Sequence, residues 1–62
     1  MRDPERIKPF YDELAELHKK YFPDWRIGQF WCNFERWIDG DIFFYEEDRL
    51  IELIREFVRL NS

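Results

Sequence analysis

The chain has 62 residues and a net charge of −4, with one cysteine and one histidine. This composition excludes an internal disulfide, and it leaves too few nitrogen and sulfur ligands for a zinc site. The length permits one domain with a marginal hydrophobic core, although an aromatic content of 21% supplies side chains that bury large areas.

The first predicted element is a helix over residues 4–21. Asp3 precedes Pro4, and an aspartate before a proline is typical of an N-cap followed by the first helical residue. Pro9 lies inside the helix, where it is either accommodated in a first turn or marks a kink. Side chains spaced as one apolar helical face are Ile7, Phe10, Tyr11, Leu14, Leu17, His18 and Tyr21.

A second helix is predicted over residues 25–38. Residues 22–24 end the first helix, since the residue before a proline avoids helical backbone angles, and Asp24 is the expected N-cap of the second. Gly28 is expected to allow another helix to approach closely, and residues 39–40, Asp-Gly, are the expected C-cap and turn. The inward face is predicted to comprise Ile27, Phe30, Trp31, Phe34, Trp37 and Ile38.

The remaining chain is predicted to form a short connection and a third helix over residues 47–60. Residues 41–45 form an apolar run with no second strand to pair with, so a packed loop or a single helical turn is expected. Acids at 46–48 complement the dipole of the third helix, whose broad apolar arc should contact both neighbours or a partner chain. The sequence therefore predicts an all-α, compact three-helix domain with an aromatic core, spanning residues 1–62.

No enzyme chemistry is predicted. Hydroxyl catalysis is excluded because threonine is absent and the one serine is the last residue. Cys32 and His18 are the one available pair of nucleophile and base, but helical spacing places them on faces that should not meet. The acids of residues 39–48 do not match the calcium-loop signature, and helix capping explains them. We therefore expect no catalytic residue, no metal site and no cofactor.

The sequence favours a cytoplasmic protein with no membrane association. Residues 1–9 mix charges of both signs without the apolar run of a signal peptide, and no stretch approaches the ~18 apolar residues of a membrane span. A lone cysteine also fits a reducing compartment. Residues 41–62 hold six acids and three bases, which argues against a surface that neutralises nucleic-acid phosphates.

A partner-binding surface is predicted on the second helix and the connection that follows it. Neutral amides and arginines beside tryptophan are typical of the desolvated centres of protein interfaces, and the aromatic run of the connection offers a second surface. An ordinary solvent-exposed face with arginine–aromatic packing is the alternative interpretation. The predicted contact residues are Trp25, Gln29, Asn33, Arg36, Phe43, Phe44 and Tyr45.

Two short patterns resemble a group of uncharacterised bacterial and phage proteins. Residues 23–29 read Pro-Asp-x-Arg-x-Gly-Gln and residues 44–48 read Phe-Tyr-x-Glu-Asp, the latter followed by a Leu/Ile helix. A weaker similarity links the chain to the YihD-like proteins, which also place Pro-Asp ahead of Gln-Phe. The resemblance covers roughly residues 13–57, and the additional Phe22 and the crowding at Trp31 and Trp37 depart from it. It implies a small helical fold and leaves function open.

The leading hypothesis is a small protein–protein interaction module that acts as a homodimer, because one small core cannot hide so many aromatic rings. A second hypothesis, from a different functional class, is an acidic, phage-type inhibitor that mimics nucleic acid with the carboxylates of residues 41–56. A third is a structural protein with no separate partner. The identity of a protein partner does not follow from the residues.

Overall fold

Three α-helices and two 3₁₀ turns make up the protein, seen in a computed structural model that describes residues 2–62. In chain order the elements are a 3₁₀ turn at Pro4–Arg6, α1 at Ile7–Tyr21, α2 at Ile27–Ile38, a 3₁₀ turn at Ile42–Phe44 and α3 at Glu47–Asn61. No β-strand occurs within 2–62. The predicted all-α three-helix fold is confirmed, and Met1, part of the predicted range 1–62, lies outside the described residues.

The amino-terminal cap forms as predicted. The Asp3 carboxylate accepts a hydrogen bond of 3.0 Å from the backbone N–H of Glu5 and so caps the 3₁₀ turn that begins at Pro4. The α-helix itself begins at Ile7. Pro9 therefore lies in the first turn of α1, where a backbone N–H has no partner within the helix and its absence costs little.

The start of α2 differs from the prediction. The helix begins at Ile27 rather than at residue 25, and Asp24 is not its cap. Arg26 is the N-cap residue, and its backbone N–H donates a 2.8 Å hydrogen bond to Oε1 of Gln29. This is half of a capping box, in which the residue three positions after the cap supplies the acceptor. With this start Ile27 is 53% exposed, so its predicted inward position is wrong.

An aromatic cluster forms the centre of the core, as predicted. The ring of Phe57, in α3, lies 5.8 Å from that of Phe30 and 5.5 Å from that of Phe34, centroid to centroid. Both α2 phenylalanines have no exposed surface. The buried residues of the core are Phe10, Leu14, Phe22, Phe30, Phe34, Leu50, Ile51, Ile54, Phe57 and Val58. Because α3 supplies half of them and packs against both α1 and α2, the broad apolar arc predicted for it is confirmed.

The structure contradicts the expectation for Gly28 and bears out the one for residues 39–40. A Cβ added at Gly28 would meet nothing within 4 Å, so no helix approaches there and the predicted close approach is wrong. At the end of α2, Asp39 is the C-cap with a φ of 54°, in the left-handed region, and no glycine has a positive φ. Aspartate tolerates this region better than most residues, because its short side chain bonds locally. The predicted cap at residues 39–40 thus forms, with Asp39 in the left-handed conformation that glycine often adopts at helix ends.

The open surroundings of Gly28 lead to a prediction about stability. Gly28→Ala should stabilise the protein by about 0.5 kcal/mol, because alanine restricts the unfolded chain and favours helix without meeting any neighbour. Urea unfolding monitored by circular dichroism measures this difference. A loss of stability would instead show that α2 packs closely against another element at Gly28.

Three ion pairs connect the amino-terminal part of the chain to α3. Arg2 donates from Nε to Oε2 of Glu46 at 2.9 Å and from Nη2 to Oε1 at 2.7 Å. Arg55 likewise makes two hydrogen bonds to Glu13, the one from Nη2 at 2.7 Å, and Arg6 pairs with a glutamate of α3, Glu47, at 2.9 Å. Hydrogen bonds from the guanidinium groups lower the pKa of the Glu13 and Glu46 carboxyls.

These lowered pKa values predict an acid-sensitive part of the stability. A carboxyl whose pKa is lower in the folded state stabilises the fold above its unfolded pKa of about 4.3 and loses that effect as pH falls through the folded value. The thermal midpoint should therefore fall on acidification below pH ~4.3, and less so in Glu13→Gln/Glu46→Gln. Both pairs are solvent-exposed, so high salt should also reduce the effect.

The matched control for that experiment is Glu5→Gln/Glu56→Gln. It makes the same change in charge at two glutamates whose side chains form no ion pair within residues 2–62. The control should keep the acid-induced fall of the wild type. An equal reduction in both double variants would show that net charge, and not the Arg–Glu pairs, sets the acid response.

Candidate functional site

Six of the seven predicted contact residues, all except Gln29, lie on two separate surfaces. We call the first the α2–α3 groove, a depression of about 430 Å³ lined by Trp25, Asn33, Arg36, Trp37, Phe57 and Asn61. The second, the aromatic loop, consists of Phe43, Phe44 and Tyr45, which line a different depression. The groove and the depression at the loop share no lining residue.

The floor of the α2–α3 groove is aromatic. Trp25 stacks on Phe22 with ring centroids 4.0 Å apart and an interplanar angle of 6°. Trp37 lies 5.6 Å from Phe57, centroid to centroid. Both tryptophans are half-buried, whereas Phe57 is buried in the core. The groove is therefore an outward extension of the aromatic core that leaves part of each indole open to a ligand.

The rim of the groove carries polar groups. Asn33 is half-buried and Arg36 is exposed, one turn apart on α2. Arg36 forms no ion pair with a carboxylate of residues 2–62. On the α3 side, Nδ2 of Asn61 donates a 3.0 Å hydrogen bond to the backbone carbonyl of Phe57. The groove thus combines aromatic rings with amides and a cation available to a partner.

A histidine holds the floor of the groove in place. The ring Nε2 of His18 lies 2.7 Å from the carbonyl oxygen of Trp25. A carbonyl only accepts, so Nε2 carries the proton and donates. The imidazole also packs 5.1 Å from the ring of Phe30. His18 therefore fixes the α1–α2 connection that contains Trp25. Cys32, the other member of the pair considered for catalysis, lies exposed on α2.

Gln29 has a structural task that the sequence reading did not assign to it. Its side-chain oxygen caps α2 through the N–H of Arg26, and it does not line the groove. A substitution at Gln29 would therefore weaken the start of the helix. Asn33 and Arg36, by contrast, line the groove as candidate contact residues, and Arg36 is the cleaner position for mutation.

The aromatic loop is a rigid turn with outward-facing rings. Asp41 caps its 3₁₀ turn by accepting a 2.9 Å hydrogen bond from the N–H of Phe43, and Ile42 packs against the core. Phe43 and Phe44 are 79% and 83% exposed, and their rings meet edge to face with centroids 4.9 Å apart. The single helical turn predicted here is confirmed, but these two phenylalanines do not pack on the protein.

Acidic side chains surround the aromatic loop. Residues 41–48 contain four acids and no base. Arg2 and Arg6 lie beside the loop and already pair with Glu46 and Glu47. The apolar rings of the loop therefore lie in a segment of the chain that contains acids and no bases.

Three residues of the groove were missed by the sequence reading. Trp37 was predicted to face inward, Phe57 belongs to the apolar arc predicted for the third helix, and Asn61 received no role. Their spacing on a helical face predicts burial equally well whether or not one edge stays open, so no sequence signal separates the two cases. The aromatic content was the one indication that the core would extend to the surface.

The described part of the chain has neither a metal-binding group nor a membrane-spanning helix. Within residues 2–62 no three His, Cys, Asp or Glu side chains come together as a metal-binding group. None of the helices in that range is both long and apolar enough to cross a membrane. No protein-family model, curated protein or solved structure matches the chain.

Proposed function

We propose that the protein is a small protein–protein interaction module that acts as a homodimer. The observation that carries the proposal is the exposure of Phe43 and Phe44, at 79% and 83%. Large apolar patches on a soluble surface mark interaction sites, and two adjacent phenylalanines held on a capped turn form such a patch. The cap at Asp41 holds the backbone of Phe43 in the turn that presents these two rings.

The α2–α3 groove supports the same proposal. Tryptophan and arginine are enriched among residues that dominate binding energy, and they act best in well-packed, desolvated depressions. Trp25, Trp37 and Arg36 supply these residue types in one place. The exposed thiol of Cys32 favours a reducing compartment, and we place the module in the cytoplasm on that ground.

The proposal is tested by comparing proteins retained from a cell lysate by the immobilised wild type and by two variants. Arg36→Ala alters the groove, and Tyr11→Ser is the control because Tyr11 is exposed and lines neither surface. We expect proteins that the wild type and Tyr11→Ser retain and that Arg36→Ala loses, with equal thermal midpoints for all three. Identical retained sets for all three proteins would contradict a role for the groove.

The salt dependence of binding distinguishes the acidic-inhibitor alternative. A nucleic-acid mimic binds a basic protein through exposed charges, so its affinity should fall steeply with salt. In this protein two of the acids concerned, Glu46 and Glu47, are already paired with arginines. We therefore expect binding that persists at high salt. If the immobilised protein retained only further copies of itself, the result would favour a structural protein with no separate partner.

A further inference from the structure

We infer that the aromatic loop of one copy occupies the α2–α3 groove of a second copy, and that the exchange is reciprocal. This inference rests on the homodimer in the proposed function and specifies how the two copies meet. Phe43 and Phe44 would lie over the indoles of Trp25 and Trp37 of the other chain. Each copy would thereby cover the two apolar surfaces that it cannot cover by itself.

A chain cannot place its aromatic loop in its own groove. The loop directly precedes α3, whereas Phe57 and Asn61 of the groove lie in the carboxy-terminal half of that helix. The ten residues from Glu47 to Phe57 span about 15 Å of helix, at ~1.5 Å per residue. Ile42 packs against the core and holds the start of the loop at this distance. An aromatic loop can therefore enter the groove only from another copy of the chain.

The chemistry of the two surfaces is complementary. The groove has an aromatic floor, and phenylalanine rings pack well against indoles in edge-to-face or offset arrangements. Its rim carries Arg36, which has no carboxylate partner among residues 2–62. The loop brings Asp41 directly before its rings, whereas Glu46 after them is already paired with Arg2. A copy that inserts its phenylalanines thus also brings the Asp41 carboxylate towards the available guanidinium.

The symmetry of the contact and the surface area that it buries favour a closed dimer over an open-ended assembly of copies. A one-way contact would leave a groove free at one end and a loop free at the other and would propagate, whereas a twofold arrangement uses both surfaces of both copies. Four phenylalanine rings that each bury roughly 150 Å² contribute about 600 Å². With a similar area from the grooves, the interface reaches ~1,200 Å², the lower limit for a specific complex. We expect a dissociation constant in the micromolar range.

Two variants separate the loop from the groove. Phe43→Ser/Phe44→Ser removes the inserted rings, and Asn33→Glu/Arg36→Glu places acids in the groove facing the acidic loop. Each variant alone should sediment as a monomer where the wild type is a dimer, and Tyr11→Ser should remain dimeric. Circular dichroism confirms that each variant is folded. If the groove double variant is unfolded, Arg36→Glu alone replaces it, because Arg36 is exposed. This single variant should weaken the dimer at least tenfold.

Mixing the variants tests the contact between the loop of one chain and the groove of another. The isotope-labelled loop variant retains an intact groove, and the unlabelled groove variant retains an intact loop. On mixing, the indole N–H signals of Trp25 and Trp37 should shift in the NMR spectrum, and a chain carrying both sets of substitutions should cause no shift. No shift on mixing, or a groove variant that dimerises as strongly as the wild type, would overturn the inference but leave the homodimer intact. A wild type that stays monomeric would contradict both the loop–groove inference and the homodimer.

Discussion

Replacing Phe57 with alanine should leave the chain unfolded at room temperature. Removing a buried phenylalanine costs about 3–5 kcal/mol, and the core of a domain this small rarely provides more than about that amount. Phe57 is 2% exposed. Its ring lies within 6.4 Å of five other aromatic rings, centroid to centroid, those of Phe22, Trp25, Phe30, Phe34 and Trp37. Far-UV circular dichroism of the purified variant measures the loss of helix.

Phe44→Ala is the matched control for Phe57→Ala. It makes the same chemical change at a phenylalanine that is 83% exposed, so the free energy of unfolding should change by less than about 0.5 kcal/mol. The comparison belongs at submicromolar concentration, because dissociation of a dimer would otherwise lower the apparent stability of the control. A folded Phe57→Ala with the thermal midpoint of the wild type would contradict the central position of Phe57 in the core.

Phe22→Ala should have the second largest effect, and it should reach the candidate site as well as the core. Phe22 is buried between the helices and stacks on Trp25 at 4.0 Å. Its loss should cost about 3 kcal/mol and release the indole of Trp25 from its position in the groove. Urea unfolding gives the first quantity, and the NMR signal of the Trp25 indole N–H gives the second.

The control for Phe22→Ala is Ile27→Ala, a nearby apolar truncation at a half-exposed position. This variant should keep the Trp25 signal and nearly all of the stability. If Phe22→Ala kept the Trp25 signal in the same place as the wild type, the stacking contact would not be what positions the groove.

The helices were predictable because their sequences repeat apolar residues at helical spacing and end at unambiguous residues. The third helix, predicted over 47–60, runs over Glu47–Asn61, since acids precede its apolar face and no proline or glycine interrupts it. The cap at Asp3 and the 3₁₀ turn that precedes α1 also followed from the sequence, because Asp3 and Pro4 have few other uses side by side. In these segments local preference and tertiary packing agree.

The start of α2 was not predictable because two caps compete in the same few residues. Asp24 satisfies the rule for an N-cap, yet Gln29 supplies the acceptor for a helix that begins at Ile27. The tertiary structure decides between them: Trp25 must remain outside the helix to stack on Phe22 and to accept the hydrogen bond of His18. The local sequence pattern does not indicate that Trp25 makes these tertiary contacts.

The candidate site was predictable only in part, because the groove combines residues that are far apart in the chain. The polar residues of α2 were found from their position beside tryptophans. Phe57 and Asn61 reach the same groove only through the packing of α3 against α2. For the aromatic loop, residue type could not distinguish core from surface, because phenylalanine is most often buried. The structure makes that distinction for Phe43 and Phe44.

The most direct test of the interaction-module proposal is the solution mass of the wild type, measured by sedimentation equilibrium at micromolar and submicromolar concentrations. We predict twice the monomer mass at the higher concentrations and dissociation towards the monomer on dilution. A protein that keeps the monomer mass over the whole range would contradict the homodimer and leave the exposed phenylalanines available for a different partner.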